Sequence, residues 1–85
     1  ASPFNPTASL GFGVVNNGEN NGYMSLKIID INGRVVATLV NGIPNSNKVV
    51  WNEKNDGGQP MPASIYFARM ASGKRVLTQK MVLLK

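Results

Sequence analysis

The chain has 85 residues, nine of them Lys or Arg, four Asp or Glu, and none His or Cys, for a formal charge of +5 at pH 7. One domain of this length has little room for a core that encloses an active-site cavity. Without His or Cys, metal sites lose their usual ligands, and catalysis loses its commonest base and its best nucleophile. At 42% hydrophobic and 15% charged residues the chain is too apolar for a disordered tail, and no apolar run approaches the roughly 20 residues of a membrane helix.

The charge is unevenly placed. Up to Asp56, Lys27, Arg34, Lys48 and Lys54 balance Glu19, Asp30, Glu53 and Asp56, so the whole excess comes from Arg69, Lys74, Arg75, Lys80 and Lys85. That asymmetry points to an anionic partner near the C-terminal end. The first residues lack the basic, apolar and small-residue order of a signal peptide, so the chain is read as part of a longer protein. The absence of Cys leaves the redox compartment open.

Turn residues recur at short intervals, and the stretches between them alternate with period two, which predicts antiparallel strands. Leu10, Phe12 and Val14 alternate with Ser9, Gly11 and Gly13. An Asn/Gly loop from Asn16 to Gly22 follows. Met24, Leu26 and Ile28 form one face of a second strand, and Asn32-Gly33 predicts a tight hairpin because both residues accept positive φ. The third strand runs from Arg34 to Val40. Lys48 to Trp51 is a fourth, with Val49 and Trp51 on its apolar face.

Pro60, Pro62 and the Asn55-Asp56-Gly57-Gly58 run fit no central strand and read as an irregular connection. Ile65 to Ala71 is the fifth strand, with Tyr66, Ala68 and Met70 inward so that Arg69 stays in water. Ser72-Gly73-Lys74 turns into a last strand reaching Lys85. No stretch predicts a helix. About six or seven short strands in this length predict an all-β, immunoglobulin-like antiparallel sandwich.

Few residues carry candidate chemistry. Asn52 to Gly57 superficially resembles a calcium loop, but Lys54 occupies a ligand position and Ala63 stands where a bidentate carboxylate belongs. The four carboxylates share no spacing that pairs two for acid/base work, so no catalytic residue and no cofactor is expected. Trp51 and Tyr66 fall on the apolar parity of their strands and read as core. Phe67 is the one ring left to stack beside the C-terminal cations, too few for a nucleic-acid surface. In the last strand Lys80 argues that Leu77, Gln79, Met81 and Leu83 face inward, which leaves Val82 and Leu84 outside among Arg75, Lys80 and Lys85. An exposed apolar pair on a terminal strand marks either a covered surface or a recognition element.

Ser2-Pro3-Phe4-Asn5-Pro6-Thr7 resembles the opening motif of type A C-terminal sorting domains of the type IX (Por) secretion system. The resemblance continues through Asp30 to Val40, Val50-Trp51, Asp56 to Pro60, Ile65-Tyr66-Phe67 and Lys80-Met81-Val82-Leu83-Leu84-Lys85. It implies a linker and opening motif over 1–7, including Pro3, Phe4, Asn5, Pro6 and Thr7, followed by one sandwich domain over 8–85 at the end of a larger exported protein. It also implies a non-enzymatic address that takes its cargo across the outer membrane, through the periplasm to the cell surface or beyond. Its partners would be the outer-membrane translocation machinery, which reads Lys80 to Lys85, and a cargo domain upstream on the same chain. Pairing of two copies through the last strand is compatible with this, and no nucleic-acid partner is expected. A strand with main-chain groups, apolar side chains and flanking lysines suits strand addition or groove docking by a receptor.

Three positions depart from the family pattern: Ser64 for a Gly, Asn52-Glu53 for Asp-Gly after the Trp, and Pro44 to Asn47 for a Gly-containing turn. The competing reading is a structural or adhesive, glycan-binding accessory module of a secreted enzyme.

Overall fold

A computed structural model describes residues 8–11, 22–44 and 48–84. Among them there are six strands and no helix: β1 (Ala8–Gly11), β2 (Met24–Ile29), β3 (Val35–Gly42), β4 (Lys48–Trp51), β5 (Ser64–Ser72) and β6 (Arg75–Leu83). The architecture is the expected all-β, immunoglobulin-like sandwich. One antiparallel sheet has the order β3-β2-β5-β6, and the other pairs β1 with β4.

The period-two patterns explain how the layers meet. Met24, Leu26 and Ile28 of β2, Ala37 of β3, Tyr66 and Ala68 of β5 and Leu83 of β6 are buried together with Trp51 of β4. Alternate residues of adjacent paired strands thus turn to one face, which is the apolar side of a half-buried sheet. Val49 packs on the same cluster while Val50 is exposed, as the parity of β4 predicts. The first-strand residues Phe12 and Val14 and the Asn16 to Asn21 part of its loop lie outside the described residues, as do Pro3 to Thr7 and Lys85.

The β2–β3 hairpin differs from the tight two-residue turn expected at Asn32-Gly33. Asp30 N–H donates to the Arg34 carbonyl at 2.9 Å and Gly33 N–H to the Asp30 carbonyl at 3.0 Å, and of Asn32 and Gly33 only the glycine has positive φ, 83°. This is a three-residue loop, a turn closed by a left-handed glycine. The Asp30 side chain decides it, because Oδ1 accepts from both Asn32 N–H and Arg34 N–H, each at 2.9 Å, and so holds the loop one residue longer. Ser72-Gly73-Lys74-Arg75 behaves as expected, with Ser72 paired to Arg75 and Gly73 at φ 60°.

The segment 52–60 folds as a small turn rather than an ion-binding loop. Asn55 N–H donates to the Gln59 carbonyl, Gly58 N–H to the Asn55 carbonyl, and Lys54 bridges Pro60. It docks on the outer flank of β3: Asp56 N–H donates to the Val36 carbonyl at 3.0 Å, and Asp56 Oδ1 accepts from Thr38 N–H at 3.1 Å. Glu53, where the resembled family has Gly, is the single non-glycine residue with positive φ among those described, at 64°. Ser64, the other Gly replacement, has no such φ, so its Cβ meets no backbone penalty there.

Candidate functional site

The terminal strand takes its position from the Gly73 turn, which sets the β5–β6 register residue by residue. Lys80 lies opposite Phe67, Met81 opposite Tyr66, Val82 opposite Ile65 and Leu83 opposite Ser64. Paired residues of antiparallel strands share a face. Leu83 is therefore driven into the core at 2% exposure, while Val82 stays 48% exposed and Leu84, one residue past the strand, 51%. Met81 is half-buried against the core and Lys80 is exposed. The structure thus places Lys80, Met81, Val82, Leu83 and Leu84 on one flank of the four-stranded sheet, with inward and outward sides as the alternation predicts.

The inward parity fails at the other end of the same strand. Leu77 and Gln79 share the core-facing side but are exposed. Leu77 pairs with Met70 and stands 53% exposed, because among the described residues no second layer packs on the inner face there.

Trp51 and Tyr66 anchor the interior behind this strand. Their rings meet edge to face with centroids 5.3 Å apart, at 1% and 2% exposure. Both polar tips are satisfied, since Trp51 Nε1–H donates to the Lys54 carbonyl at 3.0 Å and Tyr66 Oη–H to the Pro62 carbonyl at 2.7 Å. A Tyr hydroxyl bonded to the backbone a few residues upstream, next to a buried Trp, is a recurrent feature of immunoglobulin-like sandwiches. Burial holds the Tyr66 hydroxyl above its usual pKa of 10, with a smaller push from the Asp30 charge. Neither ring is available as a platform for a sugar.

A groove of about 630 Å³ lies beside these residues, lined among others by Asp30, Asn32, Arg34, Asp56, Met61 and Tyr66. Its carboxylates are already engaged in holding turns. The Arg34 N–H, chiefly, keeps Asp30 below the ordinary value of 3.8, helped by Asn32 N–H and by the Arg34 guanidinium, whose Nε lies 3.4 Å from Oδ2. A carboxylate favoured in its ionised form by such donors is a poor proton donor near neutrality. Among the described residues no group of three or more acidic side chains could hold a metal ion.

No protein-family model matches the chain, and no curated protein matches it. Among solved structures it is similar to PorZ, an essential bacterial surface component of the type IX secretion system of Porphyromonas gingivalis, with a TM-score of 0.60 and 19% identity. The match covers 73% of this chain and 8% of that one, so the chain spans a small part of the length of its neighbour. The likeness is one of fold.

The sequence reading missed Lys27 and Arg69 as members of any site. Both lie on the outward face and pair directly across β2 and β5. Parity alone gave each its outward direction, and only the strand order makes them neighbours.

Proposed function

We propose that the chain is a non-enzymatic sorting domain of the type IX secretion system, of the type A class it resembles, whose terminal strand is read by outer-membrane translocation machinery on behalf of a cargo domain on the same chain. The observation that carries the reading is the end of β6. Leu83 is locked in the core while Val82 and Leu84 project on either side of it, beside Lys80, on a flanking strand. A flanking strand with alternating anchored and exposed residues gives a receptor both a fixed register and apolar contacts. The shared fold with a part of PorZ supports the same reading.

The test is export of a reporter fused ahead of this chain in a host that carries the machinery. Removing Lys80 to Lys85 would also remove buried Leu83, so the informative variants are Val82→Asp and Leu84→Asp, which leave the core intact. Retention of a folded fusion inside the cell is the expected result. Secretion at the unaltered level with both substitutions present would refute the reading.

A further inference from the structure

We infer that the outward face of the four-stranded sheet is a docking surface for an acidic, partly aliphatic polypeptide segment of a partner protein. The inference shares Lys80 and Val82 with the proposed reading of β6, but its charged centre lies on β2 and β5. None of the four strands contains an Asp or Glu: their sequences are MSLKII, VVATLVNG, SIYFARMAS and RVLTQKMVL. The register sorts their outward residues into rows. Thr38, Lys27, Arg69 and Thr78 form one row; Val35, Ile29, Phe67 and Lys80 form the next, followed by Ile65 and Val82. On the other side of the cationic row lie Asn41, Ser25, Ala71 and Val76, polar on β3 and β2 and apolar on β5 and β6. Arg69 and Lys80 are exposed and Lys27 is half-buried, so three cations step diagonally across β2, β5 and β6 with apolar residues on both sides.

The charge arrangement selects the occupant. Lys27 and Arg69 are directly opposed, a placement that destabilises an isolated sheet, and no carboxylate of the sheet relieves it. One or two carboxylates brought by a partner relieve the repulsion and gain charge-assisted hydrogen bonds, bidentate ones at Arg69. The apolar rows then meet aliphatic side chains flanking those carboxylates, as an interface core meets its polar contacts. A bilayer suits the pattern less well. There the cations belong at the headgroup margin of an apolar patch, whereas here Arg69 stands between Phe67 and Ile65 on one side and Ala71 and Val76 on the other, and would be drawn inward with them. Nucleic acid would ask for several exposed rings beside the cations, whereas Phe67 is half-buried and the exposed Tyr23 stands beyond the start of β2 with its hydroxyl donating to Asn41. A second copy would set like charges face to face.

The test uses the 85-residue chain, a soluble peptide in which Glu alternates with Val, its Lys/Val counterpart, and vesicles containing phosphatidylglycerol. Backbone amide shifts on titration with the Glu/Val peptide are expected at Lys27, Ile29, Phe67, Arg69 and Lys80, weakening as salt is raised. Lys27→Glu with Arg69→Glu should weaken that binding by about tenfold or more and confer binding of the Lys/Val peptide. Should the double reversal unfold, Lys27→Gln with Arg69→Gln serves as the neutral arm, with a smaller loss and no gain of the counterpart. Shifts centred on the Asp30 to Arg34 groove, binding that the substitutions leave unchanged, vesicle binding without peptide binding, or no binding of the acidic peptide would each overturn the proposal.

Discussion

Replacing Glu53 by Gly and, separately, by Ala isolates the backbone demand of the loop after β4. At φ 64° a residue with a Cβ sits about 1–2 kcal/mol above its ordinary conformation. The side chain is 4% exposed and Oε2 has no hydrogen-bond partner, a burden of about 1–3 kcal/mol for a buried polar group. Both substitutions remove that oxygen and the Cγ methylene, the latter about 0.8 kcal/mol, so Glu53→Ala should lie between the parent and about 2 kcal/mol above it. Glycine alone removes the strain, but it also loses the buried Cβ, about 0.8 kcal/mol, and adds about 0.5–1 kcal/mol of chain entropy in the unfolded state. These terms nearly cancel, so Gly and Ala should agree within about 1 kcal/mol, whereas at a buried position of ordinary φ Ala would lead by about 1–2 kcal/mol. In a domain of this size a difference of about 1 kcal/mol is about 4–8 °C in Tm. Thermal and urea unfolding followed by circular dichroism read it directly. An Ala variant more stable than the Gly variant by more than about 1 kcal/mol would refute the account of this position.

Tyr66→Phe removes the donor to the Pro62 carbonyl and should lower stability by about 1 kcal/mol in urea. Because burial raises the Tyr66 pKa, its contribution is complete below pH 10 and is lost as pH rises through the higher folded value; the Phe variant should show a smaller alkaline decline. Asp30 runs the other way. Its pKa is lowered on folding, so its ionised form supports the fold above about pH 3.8 and that support fades as pH falls through the folded value. Asp30→Asn should flatten the acid limb of a stability–pH curve. Trp51→Phe leaves the Lys54 carbonyl without its donor and opens a gap beside Tyr66, for an expected loss of about 1–3 kcal/mol in the urea midpoint analysis.

Alternation made much of this interior legible from residues alone. Met24, Leu26, Ile28, Trp51, Tyr66 and Ala68 all fall where period two puts them, since a strand with one buried face has no freedom to slip by one residue. Leu77 and Gln79 show where that argument stops. Parity names the side a residue faces, but the reach of the opposing layer depends on strands remote in sequence. The β2–β3 loop was placed correctly yet counted one residue short, because the Asp30 carboxylate competes for the backbone donors. Glu53 gave no propensity signal of its own. The one trace was its replacement of a Gly in the resembled family, which the positive φ now explains. For the terminal strand, the exposed pair Val82 and Leu84 could be read in advance. The cationic diagonal through Lys27 and Arg69 could not, because it exists only once β2 and β5 are known to be adjacent.

The turn docked on β3 has a consequence for assembly. With the Val36 carbonyl and Thr38 N–H already engaged by Asp56, that flank of the sheet is a poor template for another strand. Among the described residues, growth of the four-stranded sheet by a neighbouring chain is thereby favoured on the β6 side. Addition of a strand, from a receptor or from a second copy, then ends the sheet where a two-sided one would propagate. Strand chemistry that recruits one partner to β6 thus finds, among the described residues of the four-stranded sheet, no second open flank on which to build a fibre.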